Sequence, residues 1–131
     1  MTDLRGPVDS VLELIGKTPV VELKKLNAGR CRLFAKLESQ NPGGSIKDRI
    51  VLAMIEAAEK DGRLRRGGTI VEATAGNTGL GLAQVGITKG YRLVLVVPDK
   101  MSREKVQHLR NDIGTGGIKL SADVSDHRHT G

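Results

Sequence analysis

The pattern of apolar and polar positions along the chain predicts strands and helices that alternate. Short apolar or alternating runs typical of strands lie at residues 20–23, 31–37, 69–73 and 91–97. Apolar residues at helical spacing predict helices from Ser45 to Gly62, from a glycine-rich turn to about Lys89, and over residues 103–110. This order predicts an α/β fold, an open parallel sheet with flanking helices and right-handed crossovers.

The first predicted helix has one apolar stripe that is expected to face the core. Its members follow the i, i+4, i+7, i+8 spacing of a buried face: Ile46, Ile50, Ala53, Met54, Ala57 and Ala58. Met54 is therefore predicted to be a core residue and not a cofactor contact. Cys31 is predicted to be a small core residue at the start of its strand. Gly62 and Gly90 are predicted to end the first two helices.

These patterns divide the chain into an N-terminal arm with the first strands (1–36), a small α/β domain (37–121) and a tail (122–131). Residues 117–121 are predicted to form a further strand after an inserted turn, because this continues the alternation. The alternative is a glycine-rich phosphate loop at residues 114–117, and the sequence leaves both open. In the tail, His127 and His129 lack a predicted helix, so no metal site is expected.

Length and composition indicate one small globular domain. The chain has 131 residues, of which 38% are apolar and 27% charged, a balance that is not typical of a disordered chain. No apolar run approaches the roughly 20 residues that span a membrane, and no signal peptide opens the chain. The single cysteine, Cys31, excludes an internal disulfide and favours a reducing compartment. We therefore expect a cytoplasmic protein without a membrane partner.

The net charge of +6 raises the question of a nucleic-acid partner. The densest basic patch is Arg63, Arg65 and Arg66, and the only aromatic residues are Phe34 and Tyr91. Two aromatic side chains are too few for a base-stacking platform, and the basic residues are interspersed with acidic ones. We expect no nucleic-acid partner, since an anionic cofactor or substrate explains the sign of the charge equally well.

A glycine-rich turn followed by a helix is the first candidate site. Residues 41–44, Asn-Pro-Gly-Gly, form a strong turn signal, and Ser45 with Asp48 three residues later predicts a capping box. Lys47 then lies in the first helical turn, where the helix macrodipole disfavours a cation. A lysine that sheds its proton there is a candidate nucleophile for Schiff-base formation. The alternative is a solvated surface lysine that follows a turn.

A second glycine-rich turn, at residues 74–81, leads from a predicted strand into a helix. Backbone amides at such a helix start can bind a carboxylate or phosphate, and Asn77 and Thr78 add side-chain donors. A dinucleotide-binding loop with Asp99 as its acidic residue is the alternative. The glycines at 76, 79 and 81 disfavour it, because they reverse the Gly-x-Gly-x-x-Gly order.

Four segments of the chain resemble one enzyme family. They are residues 15–21, 37–49, 74–79 and 97–105, and the likeness runs from about Ser10 to Arg110. The longest, Leu-Glu-Ser-Gln-Asn-Pro-Gly-Gly-Ser-Ile-Lys-Asp-Arg, is similar to the cofactor-lysine segment of the cysteine synthase and cystathionine β-synthase family. These are fold-type II pyridoxal-phosphate (PLP) enzymes. The resemblance implies the fold of their N-terminal domain, with Lys47 as the catalytic lysine that binds PLP.

The second glycine-rich turn resembles the family's Thr-Ser-Gly-Asn-Thr-Gly loop. The resemblance implies that Asn77 binds the ring hydroxyl oxygen of PLP. It also implies that one stretch holds the substrate α-carboxylate: Thr74, Ala75, Gly76, Asn77 and Thr78. Ala75 stands where the family has serine, which removes one hydroxyl group and leaves the backbone amides unaffected.

The resemblance implies a PLP-dependent β-replacement enzyme, a lyase or transferase of cysteine biosynthesis. Serine or O-acetylserine would lose its β-substituent, and a thiol or sulfide would add. The family continues far beyond Arg110, so this chain is expected to be truncated relative to it and incomplete as an enzyme. The competing hypothesis is a non-catalytic remnant, or a module that binds or oligomerises. A homodimer or other self-association is expected where apolar sheet surface is left uncovered.

Overall fold

The computed structural model describes residues 6–26, 29–74, 76–97, 103–113 and 118–121. Within these residues the strands are β1 (Val20–Glu22), β2 (Phe34–Lys36), β3 (Thr69–Ala73), β4 (Arg92–Val96) and β5 (Ile118–Ser121). The helices are α1 (Lys47–Lys60), α2 (Asn77–Thr88) and α3 (Arg103–Ile113). Short 3₁₀ turns cover Val11–Leu14 and Glu38–Gln40. Helices and strands alternate from α1 onward, as predicted.

The strands β3, β4 and β5 form a parallel sheet with β4 in the middle. In its register Ile70 pairs with Leu93, and Leu95 pairs with Leu120. Helices α2 and α3 provide the crossovers that parallel strands need. The α/β class and the parallel sheet are therefore confirmed, and so is the strand predicted at residues 117–121. The alternative phosphate loop, residues 114–117, lies outside the described residues.

The strands β1 and β2 form a separate, antiparallel pair. The predicted strand over residues 31–37 shrinks to Phe34–Lys36, and Cys31 is exposed. The prediction that Cys31 is a core residue is therefore wrong. The physical reason is that a two-stranded sheet has few covering neighbours: Val20 and Phe34 remain 57% and 49% exposed.

The core lies between the helices and one face of the parallel sheet. Its buried apolar members are Val51, Ile55, Leu82, Ala83, Val85, Tyr91, Leu93, Leu95, Val97 and Leu109. Successive strand residues point to opposite faces, so Leu93 and Leu95 are buried while Val94 and Val96 are only half-buried. On β3, Val71 is 63% exposed. The face of the sheet that turns away from the core is thus open.

The face of α1 that meets the core differs from the predicted one. The buried positions are Asp48, Val51 and Ile55. The three largest apolar residues of the predicted stripe are exposed instead: Ile46 51%, Ile50 45% and Met54 54%. We call these three the outer stripe, and the prediction that Met54 is a core residue is wrong. The helix carries two apolar stripes, and Gly81 of α2 selects one, since a Cβ there would stand 3.2 Å from Val51 Cγ2.

The ends of α1 and α2 agree with the glycines predicted to stop them. Each helix ends two residues before its glycine, and Gly62 and Gly90 have φ angles of 72° and 80°. That left-handed conformation favours glycine over other residues. No helix in the described ranges is long and apolar enough to cross a membrane.

Candidate functional site

The turn before α1 is held in place by Asn41. This side chain is 3% exposed, and its Nδ2 donates to the carbonyl oxygen (2.8 Å) and to Oε2 (2.9 Å) of Glu38. Its Oδ1 accepts a hydrogen bond from Gly16 N at 2.8 Å. The turn closes with Gly44 N donating to the carbonyl oxygen of Asn41 at 2.8 Å. Asn41 therefore holds the turn that leads into Lys47 in one position.

The other side of this turn is fastened by Arg49. Its Nε donates to Oε2 of Glu38 at 2.8 Å and its Nη2 to Oε1 at 2.9 Å, a bidentate pair. The same Nη2 donates to the carbonyl oxygen of Gly16 at 2.7 Å. The hydrogen bonds from Arg49, helped by Asn41 and Thr18, lower the pKa of Glu38 from its ordinary 4.5 to about 2. Lys47 thus lies between anchored neighbours on both sides.

Sequence reasoning missed this polar network of Glu38, Asn41 and Arg49. The available signal was a pair of opposite charges on either side of a tight turn, eleven residues apart. Such a pair predicts an ion pair only if the turn brings its ends together, and the sequence alone does not decide that. The network positions the lysine segment without contributing a reactive group of its own.

The start of α1 differs from the predicted capping box. The helix begins at Lys47, its N-cap position is Ile46, and the Ser45 hydroxyl accepts from Lys47 N at 3.1 Å. Asp48 does not bond back to Ser45 N; its Oδ2 accepts from Gly43 N at 2.5 Å. The box prediction is wrong because Asp48 is fully buried against α2. The predicted position of Lys47 in the first helical turn is confirmed, and its side chain is half-buried.

The second predicted site, the 74–81 loop, joins the end of β3 to α2. Thr74 N donates to the Val96 carbonyl oxygen at 3.0 Å, which fixes the loop to β4. Gly76 N donates to the Thr74 hydroxyl at 3.4 Å, and α2 begins at Asn77. Thr74 and Thr78 are half-buried, whereas Gly76 and Asn77 are exposed. Ala75, also predicted to bind substrate, lies outside the described residues.

The structure brings the two loops together through helix packing. A Cβ on Gly81 would stand 3.5 Å from Asp48 N and 3.4 Å from Asp48 Oδ1. At the far end of both helices, Glu59 of α1 accepts hydrogen bonds from Lys89 and Tyr91, just after α2. The helices are therefore joined near both ends and run parallel. The N-terminal ends of α1 and α2 lie side by side.

The donor set at these ends fits part of a PLP site. It combines a lysine amine, the Asn77 amide and the Thr74 and Thr78 hydroxyls with the backbone amides that a helix start leaves unbonded. An added Cβ at Gly76 would meet nothing within 4 Å, so a ligand can approach the backbone there. An amine for a carbonyl carbon and amides for an anion are the groups that PLP and an amino acid require.

Other features lie away from these loops. A cavity of about 360 Å³ is lined by residues of the β1–β2 region, among them Glu22, Cys31 and Arg32, and by none of the predicted site residues. Across the described ranges, no cluster of three or more His, Cys, Asp or Glu side chains could hold a metal ion. His127 and His129 lie outside those ranges.

Comparison with known proteins gives a consistent result. The sequence model of the family described as "Pyridoxal-phosphate dependent enzyme" matches residues 11–111. Cysteine synthase of Staphylococcus aureus is 53% identical over 115 residues, 87% of this chain and 36% of the relative. Cystathionine beta-synthase of Mus musculus is 55% identical over 103 residues, 76% of this chain and 18% of the relative.

Solved structures agree with these relatives. A hydrogen sulfide-producing enzyme from Fusobacterium nucleatum superposes with a TM-score of 0.80 at 42% identity, over 92% of this chain and 39% of that one. An O-acetylserine dependent cystathionine beta-synthase from Helicobacter pylori superposes with a TM-score of 0.73 at 36% identity, over 90% and 38%. The chain thus spans well under half the length of its relatives. The resemblance and the fold class predicted from the sequence are confirmed.

Proposed function

Because the chain belongs to the family of pyridoxal-phosphate-dependent enzymes, we propose that it carries the cofactor lysine and the substrate-carboxylate loop of a β-replacement enzyme. Family membership confirms PLP as the predicted cofactor. In the proposed reaction, a thiol or sulfide replaces the β-substituent of serine or O-acetylserine. Relatives named cysteine synthase and cystathionine beta-synthase, at 53% and 55% identity, support this choice.

The observation that supports the proposal is the position of Lys47 at the start of α1, next to the residue that packs against α2. Lys47 is the first residue of α1, and the next residue packs against Gly81 near the start of α2. The backbone of Lys47 is therefore one residue away from the contact with α2, whose start is suited to bind an anion. A lysine and an anion-binding helix start are the two features that a PLP enzyme uses to hold its cofactor and the α-carboxylate of an amino acid.

Lys47 and the residues of the second loop have proposed roles. PLP supplies the electron sink for the negative charge that develops at the substrate Cα. Lys47 Nζ would hold the cofactor, and its free amine would accept the proton from the substrate Cα. Asn77 donates a hydrogen bond to the cofactor ring hydroxyl oxygen. The substrate carboxylate binds to the loop: Thr74, Ala75, Gly76, Asn77 and Thr78.

We propose an amino acid of the serine type as the partner, and not a nucleic acid or a membrane. The guanidinium of Arg32 lies over the Phe34 ring, 4.9 Å from its centroid. Tyr91 is buried and its hydroxyl donates to Glu59 Oε1 at 2.6 Å. The Tyr91 ring is therefore not available to stack on a base, and one face of the Phe34 ring is already covered, so the two rings do not form a base-stacking platform. A cytoplasmic location fits the free thiol of Cys31.

We also propose that the protein associates with itself through apolar surface. The outer stripe of α1 is about half exposed, and Val71 on the open face of the sheet is 63% exposed. Apolar surface that is left uncovered can mark an interaction site. In sedimentation experiments Ile50→Glu should shift the protein toward monomer. The matched change Ile87→Glu, on an exposed position of α2, should not; equal sedimentation of all three proteins would contradict the proposal.

The test of the proposed function is site-specific labelling. The protein is incubated with PLP, reduced with borohydride and digested, and each lysine is examined for a pyridoxyl group by mass spectrometry. We expect the label to concentrate on Lys47, with Lys60 at the other end of α1 as the matched control. Lys47→Arg should abolish the selectivity. Label on other lysines but not on Lys47 would contradict the proposal.

Turnover distinguishes a complete site from a partial one. For the 131-residue protein we expect no family-like β-replacement rate, because exact positioning accounts for roughly 7–11 kcal/mol of barrier reduction and these two loops hold only one side of the reactants. Turnover of about one per second, within the usual enzyme range, would refute this expectation. Absence of both label and turnover would favour the alternative of a module that only binds or oligomerises.

A further inference from the structure

The residue after the proposed cofactor lysine is a buried carboxyl group that the proposed reaction does not use. Asp48 is 0% exposed. Its Oδ2 accepts one hydrogen bond, from Gly43 N. Its Oδ1 has no hydrogen-bond partner in the part of the chain that the structure describes. Burial raises the pKa of Asp48 above its ordinary 3.8, and the Gly43 hydrogen bond opposes that rise.

The carboxyl group fills a slot between the two loops of the site. On one side, a Cβ on Gly43 would overlap the carboxyl group itself. On the other side, a Cβ on Gly81 would stand 3.4 Å from Oδ1. A side chain at position 43 would therefore collide with the carboxyl group, and a methyl group at position 81 would be crowded by Val51 Cγ2 at 3.2 Å and would touch Oδ1. A buried polar group with one unsatisfied oxygen is costly, so its retention at this place calls for a reason.

We propose that Asp48 is a positioning residue that locks the 41–44 turn, and with it Lys47, against the start of α2, so that the lysine loop and the carboxylate loop hold one geometry. The hydrogen bond from Gly43 N fixes the turn, and contact with Gly81 fixes α2. The inference rests on the proposed function of Lys47. It adds a residue that acts on the lysine through the backbone, without touching cofactor or substrate.

The first test compares one variant that loses the hydrogen bond from Gly43 N to Asp48 with one that keeps it. Asp48→Ala deletes the acceptor, and Asp48→Asn keeps an oxygen for Gly43 N. In Asp48→Ala we expect the Gly43 amide proton to exchange about tenfold faster or more, the factor for losing a hydrogen bond to a carboxyl group. In Asp48→Asn it should stay near the parent rate. Asp61→Ala is the matched control, since Asp61 is an exposed carboxylate at the other end of α1.

The second readout is the selectivity of PLP labelling at Lys47. It is measured well below the unfolding temperature, so that a change in stability alone has no effect on it. We expect the pyridoxyl label on Lys47, relative to Lys60, to fall in Asp48→Ala. It should be retained in Asp48→Asn and in Asp61→Ala. A folded Asp48→Ala protein with parent exchange at Gly43 and parent selectivity at Lys47 would overturn the inference, as would an Asp48→Asn protein that behaves like Asp48→Ala.

The contact between Asp48 and α2 is tested by changing Gly81 instead of Asp48. This variant also tests the inference if Asp48→Ala does not fold. Gly81→Ala places a methyl group 3.2 Å from Val51 Cγ2 and 3.4 Å from Oδ1. The crowding with Val51 should shift α1 and Asp48 slightly, and should raise Gly43 exchange by about threefold to tenfold through partial loss of the bond. Gly86→Ala is the control on the same helix, because its methyl group would stand 3.0 Å from Leu93 Cδ2 and far from the turn. Parent exchange at Gly43 in Gly81→Ala would overturn the link.

These results separate the inference from the proposed function. If the parent protein does not label Lys47, the proposed function fails. If it labels Lys47 and the Asp48 and Gly81 variants label it equally well, only the positioning role fails.

Discussion

Helices α1 and α2 are joined by a carboxylate near each end, and the two carboxylates have opposite surroundings. Near the C-terminal end, Glu59 accepts from Lys89 Nζ at 2.8 Å and from the Tyr91 hydroxyl at 2.6 Å. Its side chain is 30% exposed. The hydrogen bond from Lys89, followed by that from Tyr91, lowers the pKa of Glu59. This end has a carboxylate with both oxygens partnered.

At the N-terminal end, Asp48 is fully buried and only one of its oxygens is partnered. Its one partner, Gly43, is a backbone amide of the turn that precedes the proposed cofactor lysine. Burial dominates and raises its pKa. The two helices thus meet at one carboxylate whose oxygens both have hydrogen-bond partners, and at one buried carboxyl group with an oxygen that lacks a partner.

The difference indicates how the two ends are used. Natural proteins hold unfavourable groups mainly where function requires them and the surrounding structure enforces them. The Glu59 junction is far from both candidate loops and stabilises the packing of α1 on α2. The Asp48 junction lies between the loops and fixes their relative position. We therefore expect changes at Glu59 to affect stability, and changes at Asp48 to affect the proposed site.

The largest expected effect on stability is that of Glu59→Ala. It leaves the Lys89 amine and the Tyr91 hydroxyl without their acceptor, and should lower the free energy of unfolding by about 2 kcal/mol. Labelling of Lys47 in the folded protein should not change. Urea unfolding measures the change in the free energy of unfolding, and borohydride labelling measures the selectivity for Lys47. Glu56→Ala, an exposed acid on the same helix, is the control; reduced Lys47 selectivity in Glu59→Ala would break the comparison.

The sequence predicted what depends on neighbouring residues. Turn chemistry located both loops, and the glycines Gly62 and Gly90 located two helix ends, because backbone conformation there is set within a few residues. Strand periodicity located the parallel sheet for the same reason. The position of Lys47 at the start of α1 follows from the turn before it.

What depends on packing could not be predicted. Asp48 fits a capping box by spacing, but its carboxyl group is buried beside Gly81 and accepts from Gly43 N instead. The helix α1 has two apolar stripes, and only the partner helix decides which is buried. The pairing of Glu38 with Arg49 likewise depends on how the turn folds. The roles of Asn77 and of the loop around it stay predictions, because they concern a bound ligand.

A smaller effect is expected for Tyr91→Phe. The ring remains buried, and only the hydroxyl that donates to Glu59 is lost, so the free energy of unfolding should fall by about 1 kcal/mol. In a Glu59→Ala background the same substitution should cost close to nothing, since the acceptor is already absent. Urea unfolding of the four proteins of this cycle measures the coupling. Equal costs in both backgrounds would show that the hydroxyl contributes independently of Glu59.

The smallest effects should appear in the pH dependence of stability, with opposite signs at the two ends. The pKa of Glu59 is lowered in the folded protein, so its contribution is present above its ordinary pKa of 4.5 and is lost as the pH falls below that value. The pKa of Asp48 is raised, so its protonated form favours the folded state. That contribution is present below its ordinary pKa of 3.8 and is lost as the pH rises through the raised value.

Two variants without the ionisable group isolate the contributions of Glu59 and Asp48 to the pH dependence of stability. Urea unfolding between about pH 3 and about pH 7 gives the free energy of unfolding for the parent, Glu59→Gln and Asp48→Asn. Glu38, with its pKa of about 2, adds the same acid-side loss to all three and cancels in the differences. Glu59→Gln should lose less stability than the parent on acidification, and Asp48→Asn should lose less as the pH rises. Parallel curves for Asp48→Asn and the parent would mean that the buried carboxyl group titrates normally, and the contrast between the two ends would then be one of geometry alone.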